Sequence, residues 1–222
     1  ALARMNLTYK KELRASEQER PDIAKARKRW QRRCGAFDPH ALVFLDESGA
    51  KTDMTRLRGR APRGTRVHDH APAGHWGTTT MISSIRLDGS TACMTVDGAT
   101  DTEVFRAYIK SVLLPTLRAG DLVVLDNLSP HKDVTAIGLI QQAGASVCFL
   151  PPCSPDCNPI EKMWSKLKAW LRTEKARSQE ALCTAIAHAL AQVTPSDAEI
   201  GLPHAATVLF NPLYPGLFAN GG

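Results

Sequence analysis

The chain has 222 residues, 43% of them hydrophobic, enough to bury a substantial core as one domain with appendages. No apolar run approaches the roughly 18 to 20 residues of a membrane span, and the opening ALARMNLTYKK lacks a signal-peptide apolar region, so the expectation is a soluble, intracellular protein without membrane contact. The net charge of +6 comes from residues 1–40, which hold eleven Lys and Arg against five Asp and Glu and leave the rest balanced at 17 against 17. Six cysteines without a paired CxxC framework read as reduced thiols, and no second pair of ligands lies near Cys153 and Cys157 to complete a zinc site. A P-loop motif is missing, and Asp46-Glu47-Ser48-Gly49 is not GxSxG, so nucleotide-binding and nucleophilic-hydrolase readings fare poorly.

In chain order, Pro21 opens a basic helix with Ile23, Arg27, Trp30 and Cys34 on one side and Lys25, Lys28, Arg29, Arg32 and Arg33 crowding the rest, either a solvated face or a phosphate-tracking one. Leu42 to Leu45 is a short apolar strand ending at Asp46. Lys51, Arg56, Arg58, Arg60, Arg63 and Arg66 follow, broken by Gly59, Pro62 and Gly64, and predict a basic hairpin or arm over 51–77. Thr78 to Leu87 and Ser90 to Val96 form a β-hairpin around Asp88-Gly89. Thr100 with Glu103 caps a helix presenting Phe105, Ile109, Val112 and Leu113 that stops before Pro115. Leu122 to Leu125 is a strand running into Asp126 and Asn127, Ser129 and Pro130 open a helix towards Gly144, and Ser146 to Leu150 is another strand.

Pro151, Pro152 and Pro155 then stiffen the approach to a helix with Asn158 as N-cap, Pro159 at its first position and Glu161 at N3. Its buried stripe is Ile160, Trp164, Leu167 and Leu171, and its outer face carries Glu161, Ser165, Lys168, Arg172 and Lys175. Ser178 starts a last amphipathic helix with Leu182, Ile186 and Leu190, and the tail 195–222 shows no periodicity. The domain reading is a basic helix or linker over 1–40, an α/β domain over 41–194 and that tail.

An antiparallel hairpin followed by strand, helix, strand, helix predicts a mixed sheet with parallel strands and helices on both faces. Asp46 and Asp126 end two apolar strands, and Glu161 stands on a flanking helix, with 34 residues between it and Asp126. An isolated NPxE is ordinarily a capping box. Three converging carboxylates, however, raise one another's pKa unless a divalent cation sits among them, and Mg²⁺ suits all-oxygen ligands. Two such ions would clamp an in-line phosphoryl displacement. Glu47, one residue on, starts on the opposite side of its strand from Asp46.

FLDESGAKTDMTRLRGRAPRG, LVVLDNLSPHK and LPPCSPDCNPIEKMWSKLKAWLR resemble, in order and spacing, the catalytic domain of DDE transposases of the insertion-sequence six-thirty and mariner-like superfamily, over roughly residues 35–192. The resemblance implies an RNase H-like fold with Asp46, Asp126 and Glu161 as catalytic, metal-binding acids for two Mg²⁺ ions, Mn²⁺ being able to substitute. Asn127 and His131 match auxiliary positions, although a helix-terminal histidine that merely caps is an alternative for His131. Lys51, Arg56, Arg58, Arg60, Arg63, Arg66, Lys168 and Arg172 would meet double-stranded DNA, at transposon ends and target, in a homodimer assembled on DNA, and the location implied is the bacterial cytoplasm, at the nucleoid. The implied reaction is metal-dependent cleavage at a transposon end followed by attack of the freed 3′ hydroxyl on target DNA. Another RNase H-like nuclease and a decayed DNA-binding remnant are the alternatives. Cys153 and Cys157 replace the family's usual aromatic and aliphatic residues. The forty leading residues cannot hold the helix-turn-helix modules of the family, which points to a fragment, a split-frame product or a decayed copy.

Overall fold

Leu42, Phe44 and Asp46 alternate with Val43, Leu45 and Glu47, and this period of two assigns each residue to one side of a sheet that is covered on both sides. A computed structural model describes residues 16–199 apart from Ala73 and His75; the first fifteen residues and the tail from Ile200 lie outside the described residues. Five strands, β1 Leu42–Lys51, β2 Thr78–Arg86, β3 Thr91–Asp97, β4 Leu122–Leu125 and β5 Ser146–Phe149, lie in the order β3-β2-β1-β4-β5. The first three run as an antiparallel meander and β1, β4 and β5 are parallel, the mixed sheet expected.

Six helices cover it: α1 Pro21–Cys34, α2 Thr102–Tyr108, α3 Val134–Gln142, α4 Ile160–Glu174, α5 Gln179–Leu190 and the short α6 Pro195–Glu199. On one side Leu42, Phe44, Met81, Ile85, Val124 and Leu150 pack with Trp30 and Cys34 of α1, with Trp164, Leu167 and Leu171 of α4, and with α5 and α6. On the other side Val43, Leu45, Ile82, Val123 and Leu125 pack with Phe105 and Tyr108 of α2, Ile109 and Leu113, and Ala136 and Ile140 of α3. The basic helix is therefore built onto the sheet through its apolar side, and the start of the tail is held by Lys166 Nζ donating to Asp197 at 2.7 Å. Gly89, at the β2–β3 turn with φ +81°, lies so close under this segment that a Cβ would stand 2.7 Å from Pro195 N.

Several local expectations are corrected. The N-cap of α2 is Asp101, which accepts from Val104 N at 2.8 Å, rather than Thr100. That helix continues as a π-turn over Ile109–Leu113, and Pro115 sits in a following 3₁₀ turn, Leu114–Thr116, where its missing N–H costs nothing. The segment after Pro130 is a 3₁₀ turn to Lys132 before Asp133 caps α3, accepting from Ala136 N at 2.8 Å. Of the two forms expected for the insertion after β1, hairpin or arm, the arm is the one seen: among its described residues 54–77 no strand pairing occurs. Gly59 allows its two legs to close, since a Cβ there would stand 2.7 Å from Val67.

At the end of the sheet away from the acids, Arg86 and Asp121 form a buried bidentate pair, with N–O distances of 3.1 and 2.5 Å. Arg86 also donates to Thr116 O at 2.9 Å and Arg118 N donates to Asp121 at 2.7 Å, so both charges are satisfied. Burial pushes the Asp121 carboxyl up, but the Arg86 hydrogen bonds outweigh it and hold the group below its usual range. Arg86→Met, which strands the Asp121 charge, should cost about 3–5 kcal/mol in urea unfolding at neutral pH. Because the folded pKa is the lower one, the parent's advantage is complete above the unfolded value of about 3.9 and is lost as pH falls through the folded value. The difference between the two proteins should accordingly shrink in acid.

Candidate metal-dependent active site

Leu42, Val43 and Phe44 of β1 pair in parallel with Leu122, Val123 and Val124 of β4, and continuing this register by two residues sets Asp46 beside Asp126. Both acids lie on the α4 side of the sheet, where Glu161 projects from the first turn of that helix. The three line a single cavity of roughly 340 Å³ together with Asn127, Leu128, the Pro151–Pro155 loop and Asn158.

Asp46 is 8% exposed. Its Oδ1 accepts from Glu47 N at 2.8 Å and its Oδ2 from Asn158 Nδ2 at 3.2 Å. Burial, and then repulsion from Glu161 and Asp126, push its carboxyl up to about 7. Glu161 is likewise raised, by burial first and Asp126 next, against a downward pull from Lys168. Asp126 moves the other way: burial acts upward, but contact with His131 and the Leu128 N–H, 2.9 Å from its Oδ1, outweighs it.

His131 is fully buried, with Nδ1 2.5 Å from Asp126 Oδ1 and its ring 4.6 Å from that of Phe105. Its Nε2 lies 3.5 Å from Glu47 Oε1, an ion-pair separation too long for a good hydrogen bond. Although burial acts to lower the imidazole, Asp126 and Glu47 raise it to about 9. His131 thus joins Asp126, which lines the cavity, to Glu47. Glu47 does point away from Asp46, and its partner is this histidine.

A divalent cation suits the donor set. The carboxylates are oxygen ligands that disfavour one another's charge, and Asn158 Oδ1 is a buried oxygen without a hydrogen-bond partner among the described residues. Among the described residues no three His, Cys, Asp or Glu side chains already stand close enough to form one coordination sphere. The acids share a cavity, and Asp46, Asp126 and Glu161 are the residues that would hold such an ion.

The sequence reading of Asn158 as N-cap is corrected: α4 begins at Ile160 with no side-chain cap, and the Asn158 amide is turned to Asp46. The Asn158 N–H donates to the Pro155 carbonyl at 3.0 Å and so does not serve the Glu161 carboxylate as a capping box would require. Asn127 donates to Leu150 O at 2.6 Å and ties the Asp126 turn to the proline loop. A role for Arg27 was missed. It donates to Ser154 Oγ at 2.7 Å and to both Asp156 oxygens at 2.9 and 2.6 Å, clamping the loop in which Cys153 takes a left-handed φ of 52°. The signal was a lone charge inside the apolar stripe of α1. Of the basic residues, Lys51, Lys168 and Arg172 line a second cavity of about 350 Å³ beside the base of the arm, whereas Arg56, Arg58, Arg60, Arg63 and Arg66 are exposed along it.

No helix among the described residues is long and apolar enough to cross a membrane. A search of curated proteins finds no match. Among solved structures, the Mos1 transposase paired-end complex with left transposon end matches with a TM-score of 0.71 at 15% identity, covering 90% of this chain and 64% of that one. The mariner Mos1 paired-end complex with Mg matches at 0.68 and 14% identity over the same shares, and the isolated Mos1 catalytic domain at 0.56 and 13%, covering 87% of this chain and 90% of that domain. The present chain thus spans about two-thirds of the length of the transposase in those complexes and shares the RNase H-like fold of its catalytic domain. The profile of the DDE superfamily endonucleases matches residues 41–183, around all three acids, and the chain belongs to that family.

Proposed function

We propose that this chain is the catalytic part of a transposase that cuts DNA at transposon ends and joins the freed 3′ end to target DNA, with Mg²⁺ as cofactor and Mn²⁺ able to replace it. The observation that carries the reading is the convergence of Asp46, Asp126 and Glu161, from two parallel strands and a helix, on one open cavity. Asp46, Asp126 and Glu161 would hold two ions. When bound, these supply Lewis-acid polarisation of the phosphodiester and a lowered pKa for water.

The chain's own groups orient the reactants. His131 fixes the Asp126 carboxylate, Asn127 holds the Asp126 turn against the Leu150 carbonyl, and Arg27 keeps the proline loop at the cavity wall. Lys168, Arg172 and Lys51, with the exposed arginines of the arm, offer phosphate contacts that set register without reading bases. Pairing two transposon ends calls for two copies of the domain, so a homodimer on DNA is part of the proposal.

Cleavage of labelled duplex with Mg²⁺ or Mn²⁺ tests the reading. Asp46→Asn should lower the rate by more than roughly a hundredfold with the fold retained. Glu47→Gln should keep activity within about tenfold while losing about 1–2 kcal/mol of stability, a few degrees in Tm, because it weakens the contact to His131. An inactive Glu47→Gln beside an active Asp46→Asn would reverse the assignment. For DNA binding, Lys168→Glu with Arg172→Glu should flatten the log–log salt slope by about 2, with Tm unchanged, and parent-like binding would remove α4 from the interface.

A further inference from the structure

We propose that Asn158 is the positioning residue of the acidic centre, its amide setting the Asp46 carboxylate relative to the helix that carries Glu161. This rests on the proposed metal-dependent function and adds a residue to it.

Asn158 is 5% exposed and its backbone is fully committed. Its N–H donates to Pro155 O at 3.0 Å, and its carbonyl receives Glu161 N at 3.2 Å. The residue therefore cannot move without moving the start of α4. From this fixed point Nδ2 reaches Asp46 Oδ2 at 3.2 Å, while Glu47 N holds Oδ1 at 2.8 Å. The carboxylate plane is thus gripped at both oxygens, one by its own strand and one by the segment that begins the Glu161 helix.

An amide suits this place for an electrostatic reason. It stabilises a buried carboxylate by donating a hydrogen bond, yet adds no positive charge that would compete with a divalent cation. Lysine or arginine would neutralise the acid and repel the ion, and aspartate would add a further negative charge and no donor. The remaining atom, Oδ1, is buried without a hydrogen-bond partner among the described residues. It is a neutral oxygen suited to a cation or to water in the cation's shell.

The test compares the 222-residue parent, Asn158→Ala, Asn158→Asp and Asp126→Asn by Mn²⁺ binding followed by electron paramagnetic resonance, by Tm with and without Mn²⁺, and by cleavage kinetics. Asn158→Ala should weaken Mn²⁺ binding roughly tenfold or more and lower kcat with KM for DNA unchanged. Asn158→Asp, nearly isosteric, should melt lower than the parent without metal and gain more in Tm from Mn²⁺ than the parent does, because the ion relieves the added repulsion. A role confined to packing would instead lower Tm in both variants and leave Mn²⁺ affinity and the metal-induced gain as in the parent, which overturns the proposal. If Asn158→Ala does not fold, the Asn158→Asp comparison decides alone. Weaker Mn²⁺ binding in Asp126→Asn with parent-like Asn158 variants refutes the role of Asn158 and spares the metal site. Absence of Mn²⁺ binding in the parent refutes both.

Discussion

Parallel pairing of β1 with β4 forces Asp46 and Asp126 to stand side by side at a buried site, and the surroundings answer to the electrostatic cost of that placement. Two carboxylates held by backbone hydrogen bonding cannot separate by rotating away, and Glu161 adds a third on the facing helix. The fold responds unequally. Asp126 is steadied by His131 and stays ionised readily, whereas Asp46, deeper and with neutral donors, is held up near 7. Such a divided pair is a poor stabiliser of the fold and a good receptor for a cation, since an ion removes the repulsion that burial amplifies.

That cost is carried by packing elsewhere. The sheet is buried on both sides, with Val43, Leu45, Val123 and Leu125 against one helical layer and Phe44 and Val124 against the other. At the opposite end of the strands, Arg86 and Asp121 form a satisfied pair and close the bottom of the same sheet. The cavity rim is stiffened in the same manner, by side chains gripping backbone or loop: Asn127 on Leu150, Arg27 on Asp156 and Asn158 on Asp46. These contacts span large sequence separations, so the cavity wall depends on the whole domain being folded.

Much of the architecture was legible in the chain. The apolar runs Leu42 to Leu45 and Leu122 to Leu125, the Asp88-Gly89 turn and the 3.6-residue stripe Ile160, Trp164, Leu167, Leu171 are local patterns, and each appears as read. The separation of Asp46 from Glu47 was equally local, because a pleated strand sends neighbours to opposite sides. Helix ends were less legible. Thr100 and Asp101 are both competent caps, and backbone geometry chose between them. Asn158 preceding a proline has every mark of a cap, yet a buried carboxylate from another strand took its amide.

The sequence by itself determined which residues are apolar on which period, and hence the strands, the helices and the three acids at their ends. Those properties arise from side-chain geometry within a few residues. Only the tertiary structure decided that His131 joins Asp126 to Glu47, that Arg27 holds the proline loop and that Asn158 holds Asp46. Each of these joins residues brought together by strand order and helix packing. Their hydrogen-bonding capacity could be met by water or by several other partners until burial removed the alternatives.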